Sequence, residues 1–221
     1  MQIKQSGLAF MRCRDYIQRK GANGKIAVLR VDVDSYPHNL SRLGNVLYSL
    51  KIRATFFVRL HGPYNLLSQN TFNLIQELIQ QGHEIGLHSE ILDFCEVTGE
   101  DPLSRMRRDI ELLKLHFSLD ALGVSSHGDF SGVNNLDFWK KHSPDDVGAL
   151  YEAYDESHLN LFRKSTYVSD SEWLNWKKYE SGVLIAERFQ SISNCISHDT
   201  QLLYILLHPE TFFSNHPFEH K

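Results

Sequence analysis

Lys25-Ile26-Ala27-Val28-Leu29-Arg30-Val31-Asp32-Val33-Asp34 is the stretch on which the fold turns. Its apolar and β-branched residues read as a strand over Lys25 to Val33, and that strand runs into a pair of carboxylates. Carboxylates are costly to bury and are depleted in strands. At the carboxyl end of a strand in an α/β protein they line the crevice where such folds place ligands and chemistry. Asp32 and Asp34 are therefore candidates for metal binding or acid–base work. The same residues also suit a polar turn, since Asp34-Ser35-Tyr36-Pro37 carries turn chemistry.

On the C-terminal side of this strand the pattern alternates helix and strand. Leu40 to Leu50 has apolar residues at helical spacing, and Ala54-Thr55-Phe56-Phe57-Val58 reads as a second strand. Thr71 to Gln81 reads as a helix with Phe72, Ile75, Leu78 and Ile79 on one face, ended by Gly82. Glu84 to Leu87 is a short strand, Asp101-Pro102 opens a helix through Phe117, and Leu202 to Leu207 is a late buried strand. Strands separated by helices predict an α/β fold with a parallel sheet and helices outside. The region from Gly132 to Asp199 has weak periodicity, which predicts short irregular elements and long loops.

The 221 residues are 42% hydrophobic and 23% charged. That composition is ordinary for a globular protein, and one domain over 1–221 is expected. A formal charge of −4 and a pI near 6.3 give no electrostatic footprint for nucleic acid or an anionic membrane. Cys13, Cys95 and Cys195 lack CxxC spacing, which argues against a disulfide framework or a thiolate zinc site and for a reducing compartment. The segment Met1-Gln2-Ile3-Lys4-Gln5-Ser6-Gly7 has no long apolar run, and no stretch is suited to span a bilayer. A soluble cytoplasmic protein is the expectation.

Three of the twelve histidines follow strand-like segments: His88 after Glu84 to Leu87, His127 after Gly123 to Ser126, and His208 after Leu202 to Leu207. In a parallel sheet all three share one rim with Asp32 and Asp34. Neutral imidazoles beside carboxylates suit zinc or a similar divalent metal. His83 precedes His88 by five residues, an odd spacing that turns it to the other side of a strand, so it reads as structural.

Over Lys25 to Phe213 the chain resembles the polysaccharide deacetylase family, the NodB-homology carbohydrate esterases. The likeness is closest to a divergent cytosolic branch associated with surface-polysaccharide biosynthesis. Arg30-Val31-Asp32-Val33-Asp34 is similar to the family's first motif with one residue inserted between its aspartates. Gly82-His83-Glu84-Ile85-Gly86-Leu87-His88-Ser89 matches the start of the second motif, and Leu206-Leu207-His208-Pro209 resembles the last. Tyr167-Val168-Ser169-Asp170-Ser171 corresponds to the motif whose aspartate tunes the final histidine. Two departures stand out. Leu92 occupies the position where the family has a further metal-binding histidine, and Ser125-Ser126-His127-Gly128 lacks the arginine and proline of the third motif.

The resemblance implies a distorted (β/α) barrel of mostly parallel strands with outer helices. It also implies a metal-dependent hydrolase that removes an N-acetyl group from an amino sugar or from a nucleotide- or lipid-linked sugar intermediate. On this reading Asp34, His88 and His127 hold a divalent metal, with zinc first and cobalt or nickel as alternatives, and Glu90 is the reserve ligand. Asp32 is the base, His208 the acid, and Asp170 orients His208; the inserted residue leaves the roles of Asp32 and Asp34 interchangeable. Arg59, His61, Tyr64 and Asn65 follow the second strand, and of these Arg59 and Tyr64 are candidate sugar contacts. Trp173 suits a pyranose face or the core equally. Two other readings fit the same motifs: a metal-dependent C–N hydrolase acting on a non-sugar amide, and a non-catalytic carbohydrate-binding or scaffold protein.

Overall fold

The computed structural model describes residues 7–19, 24–35, 37–128, 132–172, 175–189 and 191–212. Its strands are β1 (Ala9–Met11), β2 (Ile26–Val33), β3 (Thr55–Val58), β4 (Glu84–Ser89), β5 (Val124–Ser126), β6 (Thr166–Glu172), β7 (Asn175–Glu180), β8 (Val183–Phe189) and β9 (Leu202–Leu207). The helices are α1 (Cys13–Gln18), α2 (Leu40–Ser49), α3 (Gln69–Gln80), α4 (Ile91–Thr98), α5 (Pro102–Phe117), α6 (Pro144–Val147), α7 (Ile192–Cys195) and α8 (Pro209–Phe212).

The strands form one sheet in the order β5-β4-β3-β2-β9-β6-β7-β8, with β1 beside the first residues of β2. All pairs from β5 to β6 are parallel, and β6, β7 and β8 are antiparallel. Beyond β5 the segment 150–153 adds a further parallel rung, through Val124 N–H to Tyr151 O and Ala153 N–H to Val124 O, both 2.9 Å. The curved sheet then meets itself through side chains, with the Tyr154 and Tyr167 hydroxyls 3.3 Å apart. This is the expected mostly parallel, distorted barrel with helices outside.

Strand β2 is buried on both faces, which explains its near-continuous apolar sequence. Ala27, Leu29, Val31 and Val33 face the helices and pack with Leu43 and Leu47 of α2 and Ile75 and Leu78 of α3. The alternate residues Val28, Arg30 and Asp32 face the barrel interior with Phe57, Tyr167, Tyr204 and Leu206. Burying each large apolar side chain contributes about 1.5–3 kcal/mol. Helix α3 begins at Ser68, whose hydroxyl accepts from Thr71 N–H, and ends at Gly82 at φ +84°. There His83 N–H closes back on Leu78 O at 3.0 Å, so the chain re-enters the sheet directly as β4.

One expectation fails in part, in the C-terminal half of the chain. The region from Gly132 to Asp199 has the expected short helices and long loop only up to Ser165, and then an antiparallel three-stranded unit, β6 to β8. Lys177 and Lys178 and two register shifts obscure the strand alternation. The usable signal is Ser181-Gly182, a two-residue hairpin turn with both residues at positive φ, +50° and +79°.

Candidate active site

Strand geometry sets which side chains reach the rim. Successive residues alternate faces, so Asp32-Val33-Asp34 sends both carboxylates inward while Val33 stays in the helix-facing core. On β4 the inward residues are Glu84, Gly86 and His88. His88 pairs in register with Ser125 of β5, and His127 follows that strand, its N–H bonded to Ser89 O at 2.8 Å. His208 follows β9. Because these strands are parallel, their carboxyl ends gather at one rim.

There, Asp34 Oδ1 lies 3.2 Å from His88 Nε2 and 3.8 Å from His127 Nε2. One ligand atom from each of the three lies within 4.8 Å of the others. Asp34 Oδ1 is shielded from solvent and accepts no hydrogen bond. His88 Nδ1 is 2.9 Å from the Ser125 carbonyl, which only accepts, so Nδ1 carries the hydrogen and the neutral ring presents the Nε2 lone pair to Asp34. Burial, reinforced by the neighbouring His88, lowers the His127 pKa and favours its neutral form. Two imidazoles and one carboxylate beside a cavity could hold a divalent metal. Without a cation, burial disfavours charge on His88, yet Asp32 and Asp34 outweigh it and raise the His88 pKa.

Asp32 is differently held. Its Oδ2 accepts from Arg30 Nη2 at 2.7 Å and from Ser125 Oγ at 3.4 Å, and lies 3.6 Å from His88 Nε2. Its Oδ1 is buried without a hydrogen-bond partner. The Arg30 guanidinium, 1% exposed, also donates to the Tyr204 and Tyr154 hydroxyls at 3.3 and 3.1 Å. It stands 4.7 Å from the centre of the Tyr154 ring. A buried arginine of this kind needs its carboxylate, and Asp32 keeps its pKa high against the opposing effect of burial. The signal for Arg30 was present in the sequence, two residues before Asp32 on the same strand face.

His208 is clamped by Asp170, which accepts from its backbone N–H at 2.8 Å and lies 2.6 Å from its Nδ1. Thr211 Oγ1 donates to the same carboxylate. Burial opposes the charged ring, but Asp170, then Asp34 and Asp32, lift the His208 pKa to about 9. Its Nε2 is 3.9 Å from Asp34 Oδ2. Asp32, Asp34, His88, His127 and His208 line one cavity of ≈ 350 Å³, with Arg30, Tyr154 and Glu210 also in its wall.

Of the expected sugar contacts, Arg59 and Tyr64 are not in that wall. Arg59 is buried, its guanidinium paired with Glu90 and donating to the Asp34 backbone carbonyl at 3.0 Å. The Tyr64 hydroxyl accepts from Arg59 N–H at 2.8 Å and donates to Val33 O at 2.9 Å. Both therefore fasten the Asp34 segment to β3, where the burial of their polar groups demands backbone partners. Glu90 is taken by Arg59 and lies outside the three-residue ligand cluster. His61 stacks on Phe94 and pairs with Asp109, and Asn65 caps Leu67 N–H. Trp173 lies outside the described residues. Leu92 packs against the apolar core.

No protein-family profile matches the chain, and no curated protein matches it in sequence. Solved structures do match. A family 4 carbohydrate esterase from Streptococcus mutans superposes with a TM-score of 0.53 at 15% identity, over 93% of this chain and 81% of that one. The catalytic domain of a peptidoglycan N-acetylglucosamine deacetylase from Eubacterium rectale gives 0.52 at 16% identity, over 88% and 81%. PdaA of Bacillus subtilis, another family 4 carbohydrate esterase, gives 0.50 at 14% identity, over 94% and 74%. With its mostly parallel sheet, outer helices and rim of strand ends, this chain has the fold of the family 4 carbohydrate esterases.

Proposed function

We propose that the protein is a metal-dependent hydrolase that removes the N-acetyl group of an amino sugar. The observation that carries this reading is the convergence of Asp34, His88 and His127 beside a clamped His208 in one cavity. A pure binding module needs no such set of titrating groups. A divalent cation bound there, zinc by the character of its donors, supplies Lewis acidity toward an amide carbonyl and toward water. Asp34, His88 and His127 hold it, with His88 oriented by the Ser125 carbonyl. Asp32, fixed through Oδ2 by Arg30, takes the proton of the attacking water at its unpartnered Oδ1. His208, kept protonated by Asp170, gives its Nε2 proton to the leaving amine. The products are acetate and the free amino sugar. Arg59 and Tyr64 act as positioning residues that hold the Asp34 segment.

The test is metal content together with acetate release, for wild type, His88→Ala and His127→Ala. Nucleotide- and lipid-linked N-acetyl sugars, free N-acetyl sugars and simple amides form the substrate panel. The reading expects about one divalent metal per chain, lost in both variants, with acetate released from sugars in preference to simple amides. A wild-type protein that takes up no zinc, cobalt or nickel overturns it. Release from simple amides alone transfers the site to a non-sugar C–N hydrolase.

A further inference from the structure

His127 stands where the sheet ends. Strand β5 is three residues long and stops at Ser126, one residue before it. The His127 N–H is bonded to Ser89 O of β4 at 2.8 Å. Its carbonyl, past the end of the strand, accepts from Asn135 Nδ2 at 3.2 Å. Asn135 is 0% exposed, and all four of its amide hydrogen-bonding positions are taken. Its Oδ1 accepts from Leu92 N–H at 2.9 Å and from Asp93 N–H at 3.3 Å, and its Nδ2 also donates to Asp93 Oδ2 at 2.8 Å.

These bonds join elements that are far apart in the chain. Leu92 and Asp93 lie in the first turn of α4, whose N–H groups a capping side chain ordinarily satisfies. Glu90, at the capping position, makes no such bond, and its carboxylate is paired with Arg59 instead. Asn135 takes those N–H groups from 42 and 43 residues away. Capping uses Oδ1 alone, and an aspartate would serve it as well. Reaching the His127 carbonyl takes the amide NH₂. The same 3₁₀ turn, Asn135–Lys140, sends Trp139 Nε1 to Ser126 Oγ at 2.9 Å. Ser126 and His127 are therefore both held from this one turn.

We propose that Asn135 is a positioning residue of the metal site, holding the His127 main chain to the start of α4 so that the ring meets Asp34. The inference rests on metal binding by Asp34, His88 and His127, as proposed above, and adds a residue outside that ligand set. Without the bond the His127 main chain is free to turn, and the site keeps Asp34 and His88 but holds its third donor only part of the time. Residues that orient ligands in this way contribute roughly 10–100-fold in metal affinity.

The experiment is zinc affinity by chelator competition on the full chain without a histidine tag, with the thermal midpoint of the metal-free protein measured beside it. Asn135→Ala is expected to weaken zinc binding roughly 10–100-fold. In a His127→Ala background the same substitution is expected to change affinity by no more than about twofold, because a residue that acts through His127 has nothing left to act on. The visible spectrum of cobalt-loaded Asn135→Ala is expected to move toward that of His127→Ala. A second variant isolates the one bond. The exchange Asn135→Asp with Asp93→Asn keeps an acceptor for the α4 N–H groups and a bond between the two side chains, but leaves position 135 no donor for His127. It is expected to weaken zinc as Asn135→Ala does, while Asp93→Asn alone stays within about twofold of wild type. The exchange carries the test if Asn135→Ala does not fold. Equal losses in the wild-type and His127→Ala backgrounds, or undiminished zinc affinity in the exchange, overturn the positioning role and leave the metal site in place. A loss in Asp93→Asn alone as large as in the exchange overturns it too, because the effect then belongs to α4. A wild-type protein that takes up no zinc removes the metal site and this inference together.

Discussion

Glu84 and His88 point from the same face of one strand and sit in opposite circumstances. Glu84, at the amino end of β4, is 1% exposed, and its carboxylate is fully engaged. It accepts from Arg14 N–H at 3.0 Å, Thr55 Oγ1 at 2.7 Å and the Tyr151 hydroxyl at 2.8 Å. At the carboxyl end, around His88, the Asp32 and Asp34 carboxylates each keep a buried oxygen that accepts nothing. Both ends bury carboxylates. Of Glu84, Asp32 and Asp34, only the two aspartates at the rim leave lone pairs unused, and an unused buried lone pair destabilises unless something binds it. Completeness of hydrogen bonding is thus what distinguishes Glu84 from Asp32 and Asp34. The base of the barrel is sealed, and the rim is open to a cavity.

That contrast can be broken by substitutions at either end. The largest expected effect is at the rim. On the proposed function, His208→Asn keeps a polar side chain beside Asp170 but removes the proposed acid, and it lowers kcat for acetate release by roughly 10²–10⁴-fold. The thermal midpoint stays within a few degrees of wild type. A large fall in stability with little change in turnover places His208 with the structural residues instead.

At the base the effects invert. Glu84→Gln replaces one accepting oxygen by an NH₂ group facing the Thr55 hydroxyl or Arg14 N–H, leaving a buried donor unmatched. The loss is about 2 kcal/mol, or about 4–8 °C in thermal midpoint for a chain of this length. Metal uptake and turnover at 25 °C are unchanged. Loss of metal in this variant breaks the separation of the two ends.

The smallest effect sharpens the picture of the base through pH. His83, beside Glu84 on the other face of the strand, accepts from Ala54 N–H at Nδ1, 3.1 Å away, and meets Phe56 edge-on. Burial holds its pKa down at about 4, below the ordinary 6.5. The folded state thus prefers the neutral ring, so its contribution is complete above pH 6.5 and is lost as the pH falls through 4. After discounting for solvent screening it amounts to about 1–2 kcal/mol. Denaturant midpoints of wild type and His83→Gln, compared from pH 7 down to pH 4, should converge as the pH falls. A constant difference means that His83 stays neutral, or stays charged, throughout.

How much of this was legible in the sequence follows from the range of each interaction. Strand β2, the helices α2, α3 and α5 and the strand β9 announce themselves through local periodicity and capping residues such as Ser68, Gly82 and Asp101. Asp32, Asp34, His88, His127 and His208 were visible as strand-end residues. Nothing near Arg59 and Tyr64 in the chain says that their polar groups end on the backbone of Asp34 and Val33, some 25–31 residues away. Arg30 is legible through its two-residue spacing from Asp32, which marks a shared face. The β7–β8 hairpin was passed over although Ser181-Gly182 is a turn signal, because the lysines of β7 break the alternation.

The sequence by itself determined the fold class, the gathering of Asp32, Asp34, His88, His127 and His208 at strand ends, and the inward face of Asp32 and Asp34. These follow from a period of two along a strand, and a period is local information. The tertiary structure decided which imidazoles come within reach of Asp34, that Arg30 claims Asp32, and that Asn135 reaches the carbonyl of His127. Those depend on the register of β2 against β9 and of β4 against β5, set by helices and crossovers far apart in the chain. A shift of one residue in any of these pairings turns every side chain of a strand to its other face.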